Sequence, residues 1–410
     1  MANEELHEMI VALDIGTSKV VALVGEIDEN NKLNVVGIGK HPSRGMKKGV
    51  VVNIDATIES IQRAVEEAEL MAGVNIQTVY TGIAGSHIRS MNSHGVVAIK
   101  DKEVTEADVD RVMDAARAIA IPADQRILHV LPQEFIIDDQ DGIREPIGMS
   151  GVRMEANVHM VTGSQSAAHN IVKCVERCGL EVDDIILEQV ASSHSVLQGD
   201  EKELGVCIVD IGGGTSDIAV FLEGAIHHTA VIPVAGDQVT NDIAIAIRTP
   251  TSNAETIKLK HGTALRQMAE DYQIEVPGVG EREPRALSTQ TLASVIEPRY
   301  EELFLMILDE LRRSGYDNRV GAGIVLTGGS STMPGVVELA EEVFHMPVRI
   351  GTPRDIGGLK GEVESPMHAT GVGLLLFGAE QQAYGMREKY TKVTSDSLWV
   401  RMKRWFSGNL

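Results

Sequence analysis

Short apolar runs, each closed by glycine and small hydroxyl residues, recur along this chain. "IVALDIGTSK" (10–19) is apolar up to Asp14, breaks into a Gly/Thr/Ser turn, and resumes as "VVALVGEI" (20–27). About two hundred residues later "VCIVDIGGGTSD" (206–217) runs into "IAVFLEGA" (218–225) in the same way. Uninterrupted β-branched runs bounded by turn residues predict buried strands, and two in succession across a tight turn predict a hairpin. A third strand, "GIVLT" (323–327), leads into Gly328–Gly329 and a helix opening near Pro334. Helical periods fill the intervals. In 41–73, a basic loop and a short strand precede an amphipathic helix with Ile58, Ile61, Val65, Ala68 and Leu70 near one face. Thr105 to Asp108 has the form of a capping box that starts another helix. Residues 84–163 read as a compact α+β insert, and "LASVIEPRYEELFLMILDELRRSG" (292–315) as a long helix. Two helices rich in small residues, 187–197 and 369–379, allow close helix approach or plain core packing. Residues 386–396 are polar without an apolar period and read as a flexible linker. From Ser397 a helical pattern puts Leu398, Trp399, Met402, Trp405 and Phe406 on one arc and Arg401, Lys403 and Arg404 around the remainder.

Composition changes this picture in three ways. At 410 residues and 43% hydrophobic content, the chain predicts two to four domains or subdomains rather than one core. The net charge of −22 argues against nucleic-acid binding, because an acidic surface repels phosphates. Three cysteines are too few and oddly numbered for a disulfide framework. Cys174 and Cys178, four apart in a helical pattern, suit either a metal pair or half-buried thiols in a reduced cytosol. "MANEELHEMI" lacks a basic start and a long apolar run, and "GVGLLLFGA" (371–379) is too short to span a bilayer, so a cytosolic body is expected.

The duplicated turn carries the candidate chemistry. Glycine lets backbone N–H groups converge on a phosphate without a Cβ in the way, which assigns that role to Gly16, Gly212, Gly213 and Gly214. The hydroxyls of Thr17, Ser18 and Thr215 add donors, and Asp14 and Asp210 end their strands where they can hold a hydrated Mg²⁺ through its waters. Lys19 suits a phosphate contact or a solvated strand position. The third turn, with Gly328, Gly329, Ser330 and Met333, suits a nucleotide. Five segments in the order hairpin, connecting helix, hairpin, adenosine turn and connecting helix resemble the actin, Hsp70 and sugar-kinase superfamily. The resemblance implies an α/β, actin-like (ribonuclease H-like) fold of two lobes, each with a five-stranded mixed sheet, and ATP with Mg²⁺ in the cleft. It also implies that Glu255 and Lys258 pack on the adenosine and that Gly236 contributes a backbone contact. The first connecting helix places a water-orienting residue in relatives that hydrolyse ATP, and Glu188 is the nearest candidate, beside Gln189.

"PSRGMKKGVV", "VLPQEFIIDDQDGI" and "EPIGMSGVRMEANVHMVT" narrow the choice. They resemble the FtsA family of bacterial cell-division proteins, and the similarity runs end to end. That family lacks the usual subdomain of the first actin lobe and carries an insert on the other side. The resemblance implies a first lobe of 1–83 with 164–198 and 358–385, an insert of 84–163, and a second lobe of 199–235 with 306–357. A tip subdomain of 236–305, the linker and a terminal helix of 397–410 complete it. It further implies that the tip binds the C-terminal peptide of the tubulin-like protein FtsZ, with Arg299 at the family position and Glu302 beside it; the alternative is a solvated helix face with ion pairs. Self-association into actin-like filaments, contacts of the insert with other division proteins, weak or absent ATP hydrolysis, and residence at the cytoplasmic face of the inner membrane at the septum are likewise implied. A pilus-type ATPase scaffold and a kinase are the rival members of the superfamily.

Both tryptophans, Trp399 and Trp405, fall in the last dozen residues. From Arg387 onward six Lys or Arg face two Asp or Glu, a net of +4 that leaves −26 on residues 1–386. A basic, Trp-containing amphipathic helix on an acidic body predicts an interfacial anchor for anionic lipid, against a helix docked on the body or on a partner protein. Five partly buried apolar side chains give roughly 5–7 kcal/mol. Three basic residues add about 1 kcal/mol each at an anionic surface. Helix ordering and the acidic body subtract several, so one tail binds reversibly and linked tails bind firmly.

Overall fold

In the computed structural model, which describes residues 9–29, 32–280 and 282–390, the two apolar hairpins seed two sheets built to one plan. Strands β1 (Met9–Ile15), β2 (Lys19–Ile27) and β3 (Leu33–Pro42) form an antiparallel meander. A two-residue hairpin, β4 (Met46–Lys47) with β5 (Val50–Val51), leads to helix α1 (Ile54–Ala72) and to β6 (Thr78–Ile83), which lies parallel to β1. The insert follows as β7 (Arg89–Ala98), α2 (Glu106–Arg117), β8 (Gln125–Ile137), β9 (Gln140–Ile143) and β10 (Arg153–Ser164). Helix α3 (Gln165–Glu176) then returns the chain to β11 (Glu181–Leu187), parallel to β6. Helices α4 (Glu188–Val196) and α5 (Gly199–Leu204) cross to the second lobe.

There β12 (Val206–Ile211), β13 (Ser216–Leu222) and β14 (Ala225–Ile232) repeat the meander. The tip comprises α6 (Gly236–Ala246), α7 (Thr251–His261), the pair β15 (Gln273–Val276) and β16 (Arg285–Ser288), and the start of α8 (Thr289–Ser314). Strand β17 (Ile324–Thr327), helix α9 (Val336–Phe344) and β18 (Val348–Ile350) add two parallel strands beside β12. Strand β19 (Ile356–Gly358), α10 (Lys360–Val363) and α11 (Ala369–Tyr390) bring the chain back to the first lobe.

Each sheet is therefore a three-stranded meander with parallel strands added beside its first member, so Asp14 and Asp210 end equivalent strands. The first sheet has six strands, not the expected five, because β19 pairs parallel to β3. All six residues of β12 are buried, as a central strand covered on both faces requires, and each Val or Ile contributes about 1.5–3 kcal/mol. Helices α4 and α11 cross so closely that a Cβ on Gly373 would fall 1.8 Å from the Ala191 carbonyl oxygen, which explains the small residues in both.

The insert is an antiparallel sheet in the order β7-β10-β8-β9, with a core that includes Val109, Val112, Phe135 and Met154. The Thr105–Asp108 capping box is formed, with the Thr105 N–H 2.9 Å from Asp108 Oδ2. Although its chain leaves the first lobe, the insert bonds to β14 of the second: Ser90 Oγ donates to the Thr229 carbonyl at 2.8 Å, and Gln133 Nε2 to that of Ile226 at 3.0 Å.

Three expectations change, and of the two alternatives for the cysteines the structure shows the thiols. On α1, Ile61, Val65 and Ala68 are buried and Ile58 is half-buried, but Leu70 is 86% exposed, because two residues past Ala68 the helix has turned its side chain to solvent. The long helix begins at Thr289, where the Ser288 side chain accepts the Thr291 N–H as an N-cap, rather than at 292. Cys174 and Cys178 donate to carbonyls, Cys178 Sγ to Cys174 O at 3.2 Å, and burial pushes the Cys178 thiol up to about 11. Among the described residues no group of three or more His, Cys, Asp or Glu is arranged to hold a metal directly. Finally, α11 continues to Tyr390, through the first part of the segment read as linker. The terminal segment 397–410 lies outside the described residues, among which no helix is long and apolar enough to cross a membrane.

Candidate functional site

The two hairpin tips meet across the gap between the lobes. The turn of the second closes on itself through Gly212 N–H to Thr215 O, 3.0 Å. A Cβ on Gly213 would lie 1.9 Å from Ser18 Oγ, and one on Gly214 would lie 2.7 Å from Thr17 Oγ1. Only glycine permits that approach. The N-terminus of α6 docks on the same turn, with Gly236 N–H to Gly212 O at 3.2 Å and Asp237 N–H to Gly213 O at 2.8 Å. Ser330 Oγ, from the third turn, donates to the same Gly212 carbonyl at 2.7 Å.

Behind the tips lies a cleft of about 1250 Å³, counting its solvent-open mouth. Asp14, Gly16, Thr17, Ser18 and Lys19 line it from the first lobe, and Asp210, Gly212, Gly213, Gly214 and Thr215 from the second. Gly236, Glu255 and Lys258 close one side; Gly328, Gly329, Ser330 and Met333 close another, and Glu188 sits on the wall. The structure thus gathers every residue assigned to the nucleotide from the sequence into one cavity. Gln189, beside Glu188, is buried outside it with both amide atoms unpartnered.

Two ends of the cleft differ in chemistry. At one, the Lys258 ammonium is held 2.7 Å from Glu255, 2.8 Å from Thr240 Oγ1 and 3.2 Å from the Gly236 carbonyl, which fixes it on the cleft wall. At the other, four carboxyl groups are buried together. Burial, opposed by Lys19 and reinforced by Asp210, raises Asp14 to about 6. Burial raises Glu188 well above the usual carboxylate range, with Asp14, Asp217 and Asp210 adding to it. Burial also raises Asp210, although Ser192 Oγ at 2.5 Å and Thr370 Oγ1 at 3.1 Å both donate to it. These two hydroxyls come from α4 and α11, so both connecting helices grip the carboxylate that ends β12. Asp217 rises to about 8 through burial and Asp210, and its Oδ1 has no partner. Lys19 donates to the Met367 carbonyl at 2.7 Å, and burial lowers its pKa.

Unpaired buried carboxylates are costly unless a cation joins them. The donor set therefore fits hydrated Mg²⁺ held through water, with no three side chains close enough for direct ligation. Asp217, Asp237, Ser192 and Thr370 were not foreseen as site residues. An acid opening the wholly buried strand "SDIAVFL" was the available signal for Asp217.

Arg299 and Glu302 lie apart from the cleft, on α8. Arg299 Nε and Nη2 donate to Asp242 of α6 at 2.5 and 3.1 Å, and Nη1 donates to Glu302. The i,i+3 ion pair of the alternative reading is thus present, fastened to a second helix.

Two lobes with one repeated sheet plan, paired glycine hairpins and a cleft between them define the actin-like class of fold. Solved structures agree: the chain superposes on the PilM–PilN type IV pilus biogenesis complex with a TM-score of 0.64 at 17% identity, covering 90% of this chain and 98% of that one. It superposes on MreB 5 of Spiroplasma citri bound to AMPPNP with a TM-score of 0.56 at 15% identity, covering 93% and 99%. Within that class, the family model described as "Cell division protein FtsA" matches residues 207–373, and "SHS2 domain inserted in FTSA" matches residues 85–162. The cell division protein FtsA of Pseudomonas aeruginosa is 62% identical over 416 aligned positions, covering all of both chains. The chain belongs to the FtsA family of cell-division proteins.

Proposed function

We propose that this chain binds ATP with Mg²⁺ between its lobes, assembles into actin-like filaments, and tethers FtsZ filaments to the cytoplasmic face of the inner membrane at the septum. The observation that carries the proposal is the meeting of the two hairpin tips over four buried carboxylates. Gly16–Ser18 and Gly212–Thr215 would hold the phosphates of a nucleotide from the two lobes, and Asp14, Asp210 and Asp217 would hold Mg²⁺ through its waters, so that a bound nucleotide would favour one lobe arrangement. Lobe arrangement then governs whether copies fit end to end. Glu188, at the start of α4 and on the cleft wall, is the candidate for orienting a water if this chain hydrolyses ATP, and it would need its proton removed to do so.

Attachment falls to residues 397–410, and the FtsZ peptide to the tip around Arg299 and Glu302. The insert, 84–163, is the surface for other division proteins. A single tail binds anionic lipid reversibly, so filament formation and membrane residence reinforce each other. Co-sedimentation with anionic liposomes tests the attachment: W405E/F406E is expected to remain in the supernatant, and undiminished binding would sink the anchor.

A further inference from the structure

The cleft has more acid than base. Six carboxyl groups line it, but among the described residues only two lysines do, Lys19 and Lys258. Both are committed: Lys258 to Glu255 and Lys19 to the Met367 carbonyl. A further cation near the terminal phosphate would therefore favour a triphosphate in that cleft.

The β4–β5 hairpin supplies one. Its register pairs Met46 with Val51 and Lys47 with Val50, leaving Lys48–Gly49 as a two-residue turn with φ of 49° and 74°. That is a type I′ turn, whose first position favours Asn or Gly over a long side chain, so lysine there is held against its own preference. The turn is pressed into the seam between the hairpins. Gly49 N–H donates to Thr17 Oγ1 at 3.1 Å, and a Cβ on Gly214 would lie 2.9 Å from Lys48 Cα. Gly49 itself lines the cleft. Among the described residues Lys48 makes no ion pair or side-chain hydrogen bond; it is exposed, one residue before the cleft-lining Gly49.

We propose that Lys48 contacts the terminal phosphate of a bound nucleoside triphosphate and so lets the cleft distinguish triphosphate from diphosphate. The inference rests on the nucleotide reading above. A flexible four-carbon stem bearing a compact charge suits a contact made only when that phosphate is present.

Calorimetric titration of AMPPNP–Mg²⁺ and ADP–Mg²⁺ into the full chain tests it, with thermal melts to confirm folding. K48A is expected to weaken AMPPNP about tenfold or more, equivalent to 1.4 kcal/mol or more. ADP should change by less than about twofold, and K48R should restore most of the AMPPNP affinity. K47A, in the adjacent exposed position, should leave both nucleotides unchanged. Equal weakening of both nucleotides by K48A, or no change in either, would overturn the role of Lys48 while leaving the nucleotide site intact. A wild-type chain that binds neither nucleotide overturns the nucleotide reading and this inference with it.

Discussion

Replacing Asp217 with Asn keeps the shape of a buried side chain and removes its charge. Asp217 is 2% exposed; Oδ2 accepts the Thr215 hydroxyl at 2.9 Å and Oδ1 accepts nothing. Burial, reinforced by Asp210, raises the carboxyl from 3.8 to about 8. A carboxyl with a raised folded pKa keeps its proton in the native state after the unfolded chain has released it. Stability is therefore full below pH 4 and declines as pH rises toward 8, by up to about 1.4 kcal/mol per unit. The window sets a ceiling of about 6 kcal/mol, and relaxation with water entry around buried charge leaves about 2 kcal/mol. Thermal melts of nucleotide-free wild type and D217N between pH 5 and 8 read the difference. Wild type should lose about 2 °C relative to the variant across that range. The variant should also bind Mg²⁺–nucleotide more weakly, since it gives up a cation partner. Parallel pH profiles would refute the reasoning, because they would mean that Asp217 titrates normally.

Three other perturbations follow from named contacts. Gly373→Val forces a side chain into the Ala191 carbonyl at the α4–α11 crossing and should cost at least about 3 kcal/mol, read as a lowered melting temperature; an unchanged melt would show that the helices do not cross so closely. Lys258→Ala leaves Glu255 without its cation and should weaken adenine-nucleotide affinity about tenfold in an equilibrium titration, whereas wild-type affinity would remove Lys258 from the adenosine contact. Arg299→Ala frees Asp242 and Glu302. Both pairs are partly exposed, so the melt should register only about 1 kcal/mol, while binding of the FtsZ C-terminal peptide should fall well beyond what that loss explains.

The glycine hairpins were legible because the chemistry that needs them also fixes their spacing: strand, Asp, Gly, hydroxyl, strand. Their convergence in space follows from the duplicated sheet plan, which places Asp14 and Asp210 at equivalent strand ends. Ser192 and Thr370 were illegible because a small hydroxyl inside a helix reads as packing until the helix crossing aims it at Asp210. Leu70 was misassigned because its apolar character outweighed its phase on α1, and solvent wins at a helix end with nothing beside it. The sixth strand escaped notice because β19 spans three residues, two of them glycine, which lack the β-branched signature. Lys48 belonged to a loop seen only as basic; its place beside both hairpins comes from long-range packing of Gly49 and Gly214.

Under the proposed function, the nucleotide cleft and residues 397–410 act together to tether FtsZ. Purified chain, fluorescent FtsZ and anionic liposomes put it to the most direct test, with and without ATP–Mg²⁺ and with and without residues 397–410. FtsZ should appear on the liposomes only when both the nucleotide and residues 397–410 are present. Equal recruitment by the truncated chain, or recruitment indifferent to nucleotide, would contradict it.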